Sequence, residues 1–259
     1  MAHEAKGACE AVSTGRFTSF DGAELAVTLK GEGRPLVLVH GLFSSAEMNW
    51  IKFGHAGKLA EAGFQCIMPD LRAHGASSKS HNALDYPYGV LTKDLTALVE
   101  HFDLTDYDLA GFSLGARTSA KGVIDGLTPR RLALCGMGLQ GLSGWKNRSA
   151  FFIDAIDRFD EIKHGDRAFV AKSFMKTMGI DREAARLLLG AVDDVANADL
   201  AKITMPTALI CGNKDQDNGS AKDLALALLD GRYREIPGTH MSSVADGAFG
   251  DALVTFFKD

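Results

Sequence analysis

The sequence predicts an α/β protein, with a mostly parallel central sheet of about eight strands, flanking helices and a helical insertion. Three observations carry this prediction. Short continuous apolar runs bounded by turn residues recur along the chain, as in parallel strands that are buried on both faces. Segments long enough for crossover helices separate these runs. Between residues 139 and 200 the apolar residues adopt helical spacing instead.

The strands are predicted in chain order. Residues 17–27, FTSFDGAELAV, indicate two strands joined by a turn around Asp21 and Gly22. Four buried parallel strands are then predicted in PLVLVHG (35–41), FQCIMPD (64–70), YDLAGFS (107–113) and RLALCGM (131–137). Two more are predicted in TALICGNKD (207–215) and RYREIPGTH (232–240).

Helices are predicted between these strands and in the insertion. The clearest crossover segments are NWIKFGHAGKLAEAG (49–63) and TKDLTALVEHFDL (92–104). In the second, Leu95, Leu98, Val99 and Phe102 share one helical face. We therefore predict a core domain of residues 1–138 and 201–259, interrupted by a helical insertion of residues 139–200.

Composition and charge exclude several classes of protein. The chain has 259 residues, 46% of them hydrophobic, which is enough to bury a large core in one domain. A formal net charge of −5 and scattered Lys and Arg argue against nucleic acid as the main ligand. The N-terminal MAHEAKGACEAVSTGR lacks a signal-peptide core, and no run is long enough to span a membrane. We expect a cytoplasmic protein.

The cysteines predict neither a metal site nor a disulfide framework. Cys9, Cys66, Cys135 and Cys211 show no CxxC or Cys/His ligand spacing. Three of them lie in apolar strand-like runs, where cysteine packs as a small hydrophobe. We expect reduced thiols and no bound metal.

The stretch GFSLG (111–115) predicts a nucleophilic serine. Ser113 follows the predicted strand YDLAGF directly and precedes the helix-compatible LGARTSAKGVI. A strand, a serine and then a helix is the context in which a sharp turn exposes a serine hydroxyl. Gly111 and Gly115 suit such a turn because it brings neighbouring backbone close.

A base and an acid follow from the last two predicted strands. A serine hydroxyl needs a base within hydrogen-bond reach, and that base needs an orienting acid. His240 ends the last predicted strand segment, and Asp215 ends the one before it. Both leave the carboxyl edge of the sheet, where Ser113 also lies. Asp217, two residues further on, remains an alternative acid.

Two backbone amides are candidates for binding a developing oxyanion. The first parallel strand ends in His40 and Gly41, and the next amide, that of Leu42, can point at the site. The amide of Leu114 lies at the start of the helix after Ser113, where the helix dipole favours negative charge. These amides predict an oxyanion hole.

Aromatic residues near these positions are candidates for the substrate pocket. Phe43 and Phe112 flank the oxyanion loop and the nucleophile, and Trp145 lies in the insertion. Arg117 could hold a substrate carboxylate, but we predict it on the solvated helix surface.

With these pieces in order, the chain resembles the α/β-hydrolase family from about residue 17 onwards. The matching motifs are HGLF (40–43), DLRAHGAS (70–77), GFSLG (111–115), GNKD (212–215) and GTH (238–240). The resemblance implies a catalytic triad of Ser113, Asp215 and His240, with the Leu42 and Leu114 amides as oxyanion hole. It also implies that the insertion caps the site.

The resemblance extends to the loops around the site. It implies that Asp70, Arg72 and His74 brace loops and take no part in the chemistry. Ala73 stands where the family usually has glycine, a change that we expect to cost nothing.

The predicted function is hydrolysis of an ester, thioester or lactone, without a cofactor, on a small molecule with an apolar acyl or alcohol group. Hydrolysis of a carbon–carbon bond in a ring-cleavage product uses the same triad. Those relatives often carry tryptophan after the histidine, whereas MSSVAD follows His240 here. A catalytically silent ligand-binding protein is a third possibility. A monomer and a homodimer both fit the sequence.

Overall fold

The computed structural model describes residues 12–259, so Cys9 lies outside the described residues. Eight strands form one sheet in the order β1-β2-β4-β3-β5-β6-β7-β8. Strands β3 to β8 pair in parallel, and β2 pairs antiparallel with both β1 and β4. The predicted fold class is confirmed. The strands are β1 Val12–Thr18, β2 Glu24–Lys30, β3 Arg34–Val39, β4 Phe64–Pro69, β5 Asp108–Phe112, β6 Leu132–Cys135, β7 Thr207–Gly212 and β8 Gly231–Ile236.

The first strand begins earlier than the sequence predicts. Val12 pairs with Lys30 on β2, so the ladder includes the polar stretch before Phe17. Along β1 only Phe17 is buried. An edge strand that faces solvent shows no apolar pattern, which is why the sequence did not reveal its start.

The helices fill the segments between the strands. The predicted helix over residues 49–63 is broken at Gly54, which has φ +79° and separates a π-helical turn, Glu47–Ile51, from α1. Outside the insertion the helices are α1 His55–Glu61, α2 Val90–His101 and α3 Leu114–Ile124; within residues 139–200 they are α4 Leu139–Ser143, α5 Trp145–Asp157, α6 Phe169–Thr177 and α7 Arg182–Ala191; after it they are α8 Ala221–Ala227, α9 His240–Ser243 and α10 Gly247–Lys258.

The insertion is helical, as its apolar spacing indicates. Residues 139–200 contain α4 to α7 and the start of a 3₁₀ helix, Asn197–Lys202, and no strand. Its division from the core as a separate unit stays a prediction.

Two hydrophobic cores cover the two faces of the sheet. Along β3, Val37 and Val39 belong to one core, whereas Leu36 and Leu38 belong to the other. This alternation is expected where both faces of a strand are buried. The thiols of Cys66, Cys135 and Cys211 are buried in these cores, as predicted for the part of the chain that is described.

Candidate active site

Ser113 lies in the turn between the end of β5 and the start of α3. Its backbone has φ 54° and ψ −112°, a conformation that L side chains rarely adopt. Such a residue costs about 1–3 kcal/mol, so the surrounding structure must hold it in place. The Ser113 N–H donates to the Cys135 carbonyl at 2.9 Å, which ties the turn to β6.

The glycines on either side of Ser113 allow this turn to form. A Cβ on Gly111 would lie 2.2 Å from the Gly115 carbonyl oxygen. A Cβ on Gly115 would lie 2.1 Å from the Val39 carbonyl oxygen on β3. Because both clashes are with backbone atoms, any side chain at either position would force the strand and the helix apart.

The structure brings Ser113, His240 and Asp215 together in a hydrogen-bonded chain. His240 Nε2 lies 3.0 Å from Ser113 Oγ, and His240 Nδ1 lies 2.8 Å from Asp215 Oδ2. The exposed fractions of Ser113 and His240 are only 8% and 7%, so little water competes for these bonds. Asp217 donates its backbone N–H to Asp215 Oδ1 at 3.1 Å. Of the two carboxyls, the one that contacts His240 is therefore that of Asp215.

The surroundings of Asp215 keep its carboxyl ionised. Burial alone would raise the pKa of Asp215, but the hydrogen bond with His240, the Asp217 N–H and the Arg148 charge together outweigh it. The pKa of Asp215 therefore lies below its usual value. A carboxylate at Nδ1 leaves His240 Nε2 as the nitrogen that can take a proton from the Ser113 hydroxyl.

Leu42 and Leu114, the residues whose amides are the predicted oxyanion donors, both adjoin Ser113. Leu42 and Leu114 line a narrow void that Ser113 also touches. Across residues 12–259, no protein acceptor takes a hydrogen bond from the Leu42 or the Leu114 N–H. Two unsatisfied donors next to a serine hydroxyl can bind an oxygen that develops negative charge.

Buried side chains hold the loop after β3, which carries Leu42. The Gly41 N–H donates to Asn49 Oδ1 at 3.0 Å, and the Phe43 N–H donates to His74 Nε2 at 2.9 Å. His40 Nδ1 lies 2.8 Å from the Gly41 carbonyl oxygen. Because the residues on both sides of Leu42 are hydrogen-bonded in this way, the loop is held in place while the Leu42 N–H has no protein acceptor among residues 12–259.

The loop after β4 is braced by the side chains that the family resemblance assigns to that role. Asp70 accepts the Ala46 N–H at 2.8 Å, and Arg72 donates to the buried Asp94 at 2.7 Å. The expectation for Ala73 was wrong. Its φ of 66° is left-handed, where a residue other than glycine costs about 1–2 kcal/mol.

A cavity of about 550 Å³ adjoins Ser113 and His240, walled by residues of α5, α6 and the loop before α6. A space of this size suits a small to medium ligand. Four phenylalanines, Phe43, Phe151, Phe152 and Phe174, supply much of its apolar lining, and its charged lining residues are Arg148, Arg167 and Asp217.

A second, smaller cavity of about 180 Å³ also touches Ser113 and His240. Its wall is mainly apolar and includes Met48, Phe53 and Val244. Ser113 therefore lines both the large cavity and the small one.

The predicted pocket residues have three different outcomes. Phe43 lines the large cavity, and Phe112 lines the small one with its ring 4.9 Å from that of His240. Trp145 lines neither. It is buried with its Nε1 donating to the Leu189 carbonyl at 3.1 Å, and it borders only the narrow void beside Ser113.

The prediction for Arg117 was wrong, since its side chain is buried and only 2% exposed. It donates to the Gly141 and Asp193 carbonyls, at the two ends of the insertion, and to the Asp194 carboxyl.

The sequence did not predict Arg148, which lines the large cavity. Its spacing from Phe152 on α5 was the available signal, because residues four apart share a helix face.

No group of three or more His, Cys, Asp or Glu within residues 12–259 is arranged to hold a metal ion. Within the same residues, no helix is both long and apolar enough to cross a bilayer.

Comparisons with known proteins agree with this architecture. A profile of the family described as alpha/beta hydrolase fold matches residues 34–123, which include the strand and turn of Ser113. The chain is similar to the dihydrolipoyllysine-residue acetyltransferase component of the acetoin cleaving system of Pseudomonas putida, with 32% identity over 211 residues. That match covers 72% of this chain and 54% of the relative, so the chain spans about half of the relative's length.

Two solved structures share the fold over nearly their whole length. An enol-lactonase from Burkholderia xenovorans LB400 superposes with a TM-score of 0.74 at 20% identity, covering 95% of this chain and 100% of the other. An esterase from Exiguobacterium antarcticum also gives 0.74 at 20% identity, covering 94% and 99%. At such identities the likeness extends to the fold alone.

Proposed function

This chain belongs to the α/β-hydrolase fold family, and on that premise we propose that it is a serine hydrolase that cleaves a carboxylic ester, thioester or lactone. The observation that carries this proposal is the chain of two hydrogen bonds from Asp215 through His240 to Ser113, at 2.8 and 3.0 Å. It ends in a cavity large enough for a small molecule.

The proposed mechanism assigns one role to each group. Ser113 Oγ attacks the substrate carbonyl while His240 Nε2 takes its proton, and Asp215 stabilises the resulting imidazolium through Nδ1. The Leu42 and Leu114 amides bind the oxyanion. His240 then gives the proton to the leaving oxygen or sulfur, which leaves an acyl group on Ser113.

Water completes the cycle in this proposal. His240 Nε2 takes a proton from a water molecule, which attacks the acyl carbonyl, and the proton returns to Ser113 Oγ as the acid departs. The mechanism draws on no cofactor or metal. We further propose that the insertion acts as a cap over the site and that the protein works in the cytoplasm.

A fluorophosphonate probe and p-nitrophenyl esters of several chain lengths test the proposal. The wild-type protein should be labelled by the probe and should release p-nitrophenol, whereas Ser113→Ala should do neither. Ser143→Ala, an exposed serine outside the cavities, is the matched control and should behave as the wild type. Equal labelling of the wild type and Ser113→Ala would refute the assigned nucleophile, and absence of turnover with every ester would refute the esterase.

Acyl transfer is a second candidate, favoured by the name of the Pseudomonas putida relative, an acetyltransferase component. The same acyl-Ser113 would then be attacked by a thiol or alcohol in place of water. Adding ethanol or a simple thiol to the ester assay distinguishes the two. Formation of the new ester or thioester in place of the free acid would identify transfer, and the free acid as the acyl product despite the added acceptor would favour hydrolysis.

A further inference from the structure

Arg148 places a guanidinium group in the wall of the proposed active site. It lies on α5 and lines both the large cavity and the narrow void, each of which also touches Ser113. Its guanidinium carbon lies 5.7 Å from the centre of the Phe152 ring, a position in which cation and ring attract. The side chain is half-buried in a space that a substrate must enter.

No carboxylate in the described part of the chain forms an ion pair with Arg148. Within residues 12–259 its side chain forms one hydrogen bond, from Nη1 to the backbone carbonyl of Asp217. The nearby carboxyls belong to Asp217, which forms no salt bridge with Arg148, and Asp215, which is bonded to His240. Burial lowers the pKa of Arg148 below its usual value, although both carboxyls act to raise it.

A second positive charge, that of Arg117, lies near Arg148. Arg117 lies close enough to influence it, but its own charge is met by Asp194 at 3.2 Å. Arg167 also lines the large cavity, where it is exposed. The lining thus holds two arginines and one aspartate in a protein whose net charge is −5.

The small cavity differs from the large one in charge. Apart from His240, its lining holds no ionisable side chain, and Met48, Phe53 and Val244 give it an apolar character. A molecule that fills both cavities would therefore have one half among charged side chains and the other half among apolar ones. A guanidinium with one N–H group already engaged keeps four N–H donors, which match the two oxygens of a carboxylate.

We propose that the substrate is an ester or lactone with a carboxylate on the half that occupies the large cavity, bound by Arg148, and a small apolar group on the other half. This inference rests on the proposed function, since it names the substrate class of the same site. The carboxylate ligand would supply the partner that the protein itself does not give Arg148.

The test compares charged and uncharged esters of equal length. Two sets of charged probes are used. Monoethyl esters of succinic, glutaric and adipic acid carry the carboxylate on the acyl half, and acetate esters of 3- to 5-carbon hydroxy acids carry it on the alcohol half. The uncharged probes are the corresponding alkyl esters without the carboxylate. The wild-type protein should show a higher kcat/KM for the best charged ester than for its uncharged match, and Arg148→Met should reduce this ratio about 10- to 100-fold, mainly through KM.

Two further variants distinguish carboxylate binding by Arg148 from an effect of the overall charge of the protein. Arg186→Met removes a cation from α7 that is ion-paired with Asp157 and lies outside the cavities, so the ratio should stay at the wild-type value. Arg148→Lys keeps the charge but cannot donate two parallel hydrogen bonds to a carboxylate. Its ratio of kcat/KM for the charged and uncharged esters should lie between that of the wild type and that of Arg148→Met. An unchanged ratio in Arg148→Met, or a wild-type preference for the uncharged esters, would overturn the inference while leaving ester hydrolysis intact.

Binding to the inactive protein provides a readout that does not depend on turnover. Glutarate should bind to Ser113→Ala in titration calorimetry, and the double variant Ser113→Ala with Arg148→Met should bind it at least about tenfold more weakly. Equal binding by both would refute the role of Arg148. A third outcome is that the double variant loses glutarate binding while the wild-type protein hydrolyses none of the esters. That result would support the anion site and refute the proposed function.

Discussion

Ser113 holds a backbone conformation that the chain would not adopt by itself. The strain of about 1–3 kcal/mol is offset by contacts that form only in the folded protein, including the bond from its N–H to Cys135. Because Ser113, the proposed nucleophile, directly precedes Leu114 at the start of α3, one turn places the hydroxyl and one proposed oxyanion donor together. The second proposed donor, Leu42, depends on a separate loop.

The two neighbouring aspartates offer a sharp test at the scale of single residues. Asp215→Asn should lower kcat by about three to four orders of magnitude, because an amide cannot stabilise the imidazolium and can favour the wrong His240 tautomer. Asp217→Asn should lower it less than tenfold, or about 1.4 kcal/mol, since its carboxyl does not contact His240. Steady-state kinetics on one p-nitrophenyl ester measures both.

Unfolding in urea checks that each variant is folded before its kinetics are compared. A larger loss of kcat in Asp217→Asn than in Asp215→Asn would contradict the assignment of the acid. The sequence left these two residues open because they lie two positions apart in one loop, and only the fold decides which one turns towards the histidine.

At the scale of elements, the insertion is held to the core close to Ser113, the proposed nucleophile. Arg117, one turn along α3 from Ser113, donates to carbonyl groups of Gly141 and Asp193 at the two ends of the insertion. Its guanidinium also lies 5.1 Å from the Trp145 ring centre. The helix that follows Ser113 therefore also contacts the insertion whose helices wall the large cavity.

Replacing Arg117 should loosen the insertion. Arg117→Met leaves the buried Gly141 and Asp193 carbonyls without this donor, whereas the half-exposed Asp194 carboxyl keeps the Trp145 N–H, and the free energy of unfolding should fall by about 2–4 kcal/mol. Limited proteolysis should then cut within residues 139–200 before it cuts the core. Arg186→Met, which breaks an exposed ion pair in the same segment, should lower it by no more than about 1 kcal/mol. Equal proteolysis of both variants would contradict the anchoring role.

Arg117 also shows where sequence reasoning stops. The strands, the helical insertion and the chain order of Ser113, Asp215 and His240 follow from local patterns, because apolar spacing and strand ends are properties of neighbouring residues. The burial of Arg117 depends on residues more than twenty positions away that fold back over α3. Trp145 and Arg148 owe their places to the same docking, which no short stretch of sequence encodes.

At the scale of the whole molecule, burial favours the neutral form of three histidines. His40 and His74 lie in the loops next to the site, and His55 joins α1 to the C-terminal region through the Val244 carbonyl at 2.6 Å. Burial lowers the pKa of each, and that of His74 falls to about 3. In the unfolded chain their pKa returns to about 6.5, so unfolding takes up protons below that pH.

Stability should therefore fall as the pH drops below about 6.5, because the unfolded chain binds protons that the folded protein excludes. His74, whose pKa in the folded protein is about 3, should by itself lower the free energy of unfolding by about 1 kcal/mol between pH 7 and pH 5.5, and His40 and His55 should lower it further. Urea unfolding at both pH values measures this difference. His55→Gln removes one buried titrating group outside the site and should reduce the difference, and His164→Gln, a substitution at an exposed position, is the control for replacing a histidine elsewhere. A free energy of unfolding that is the same at both pH values would show that the folded protein takes up these protons as readily as the unfolded chain does.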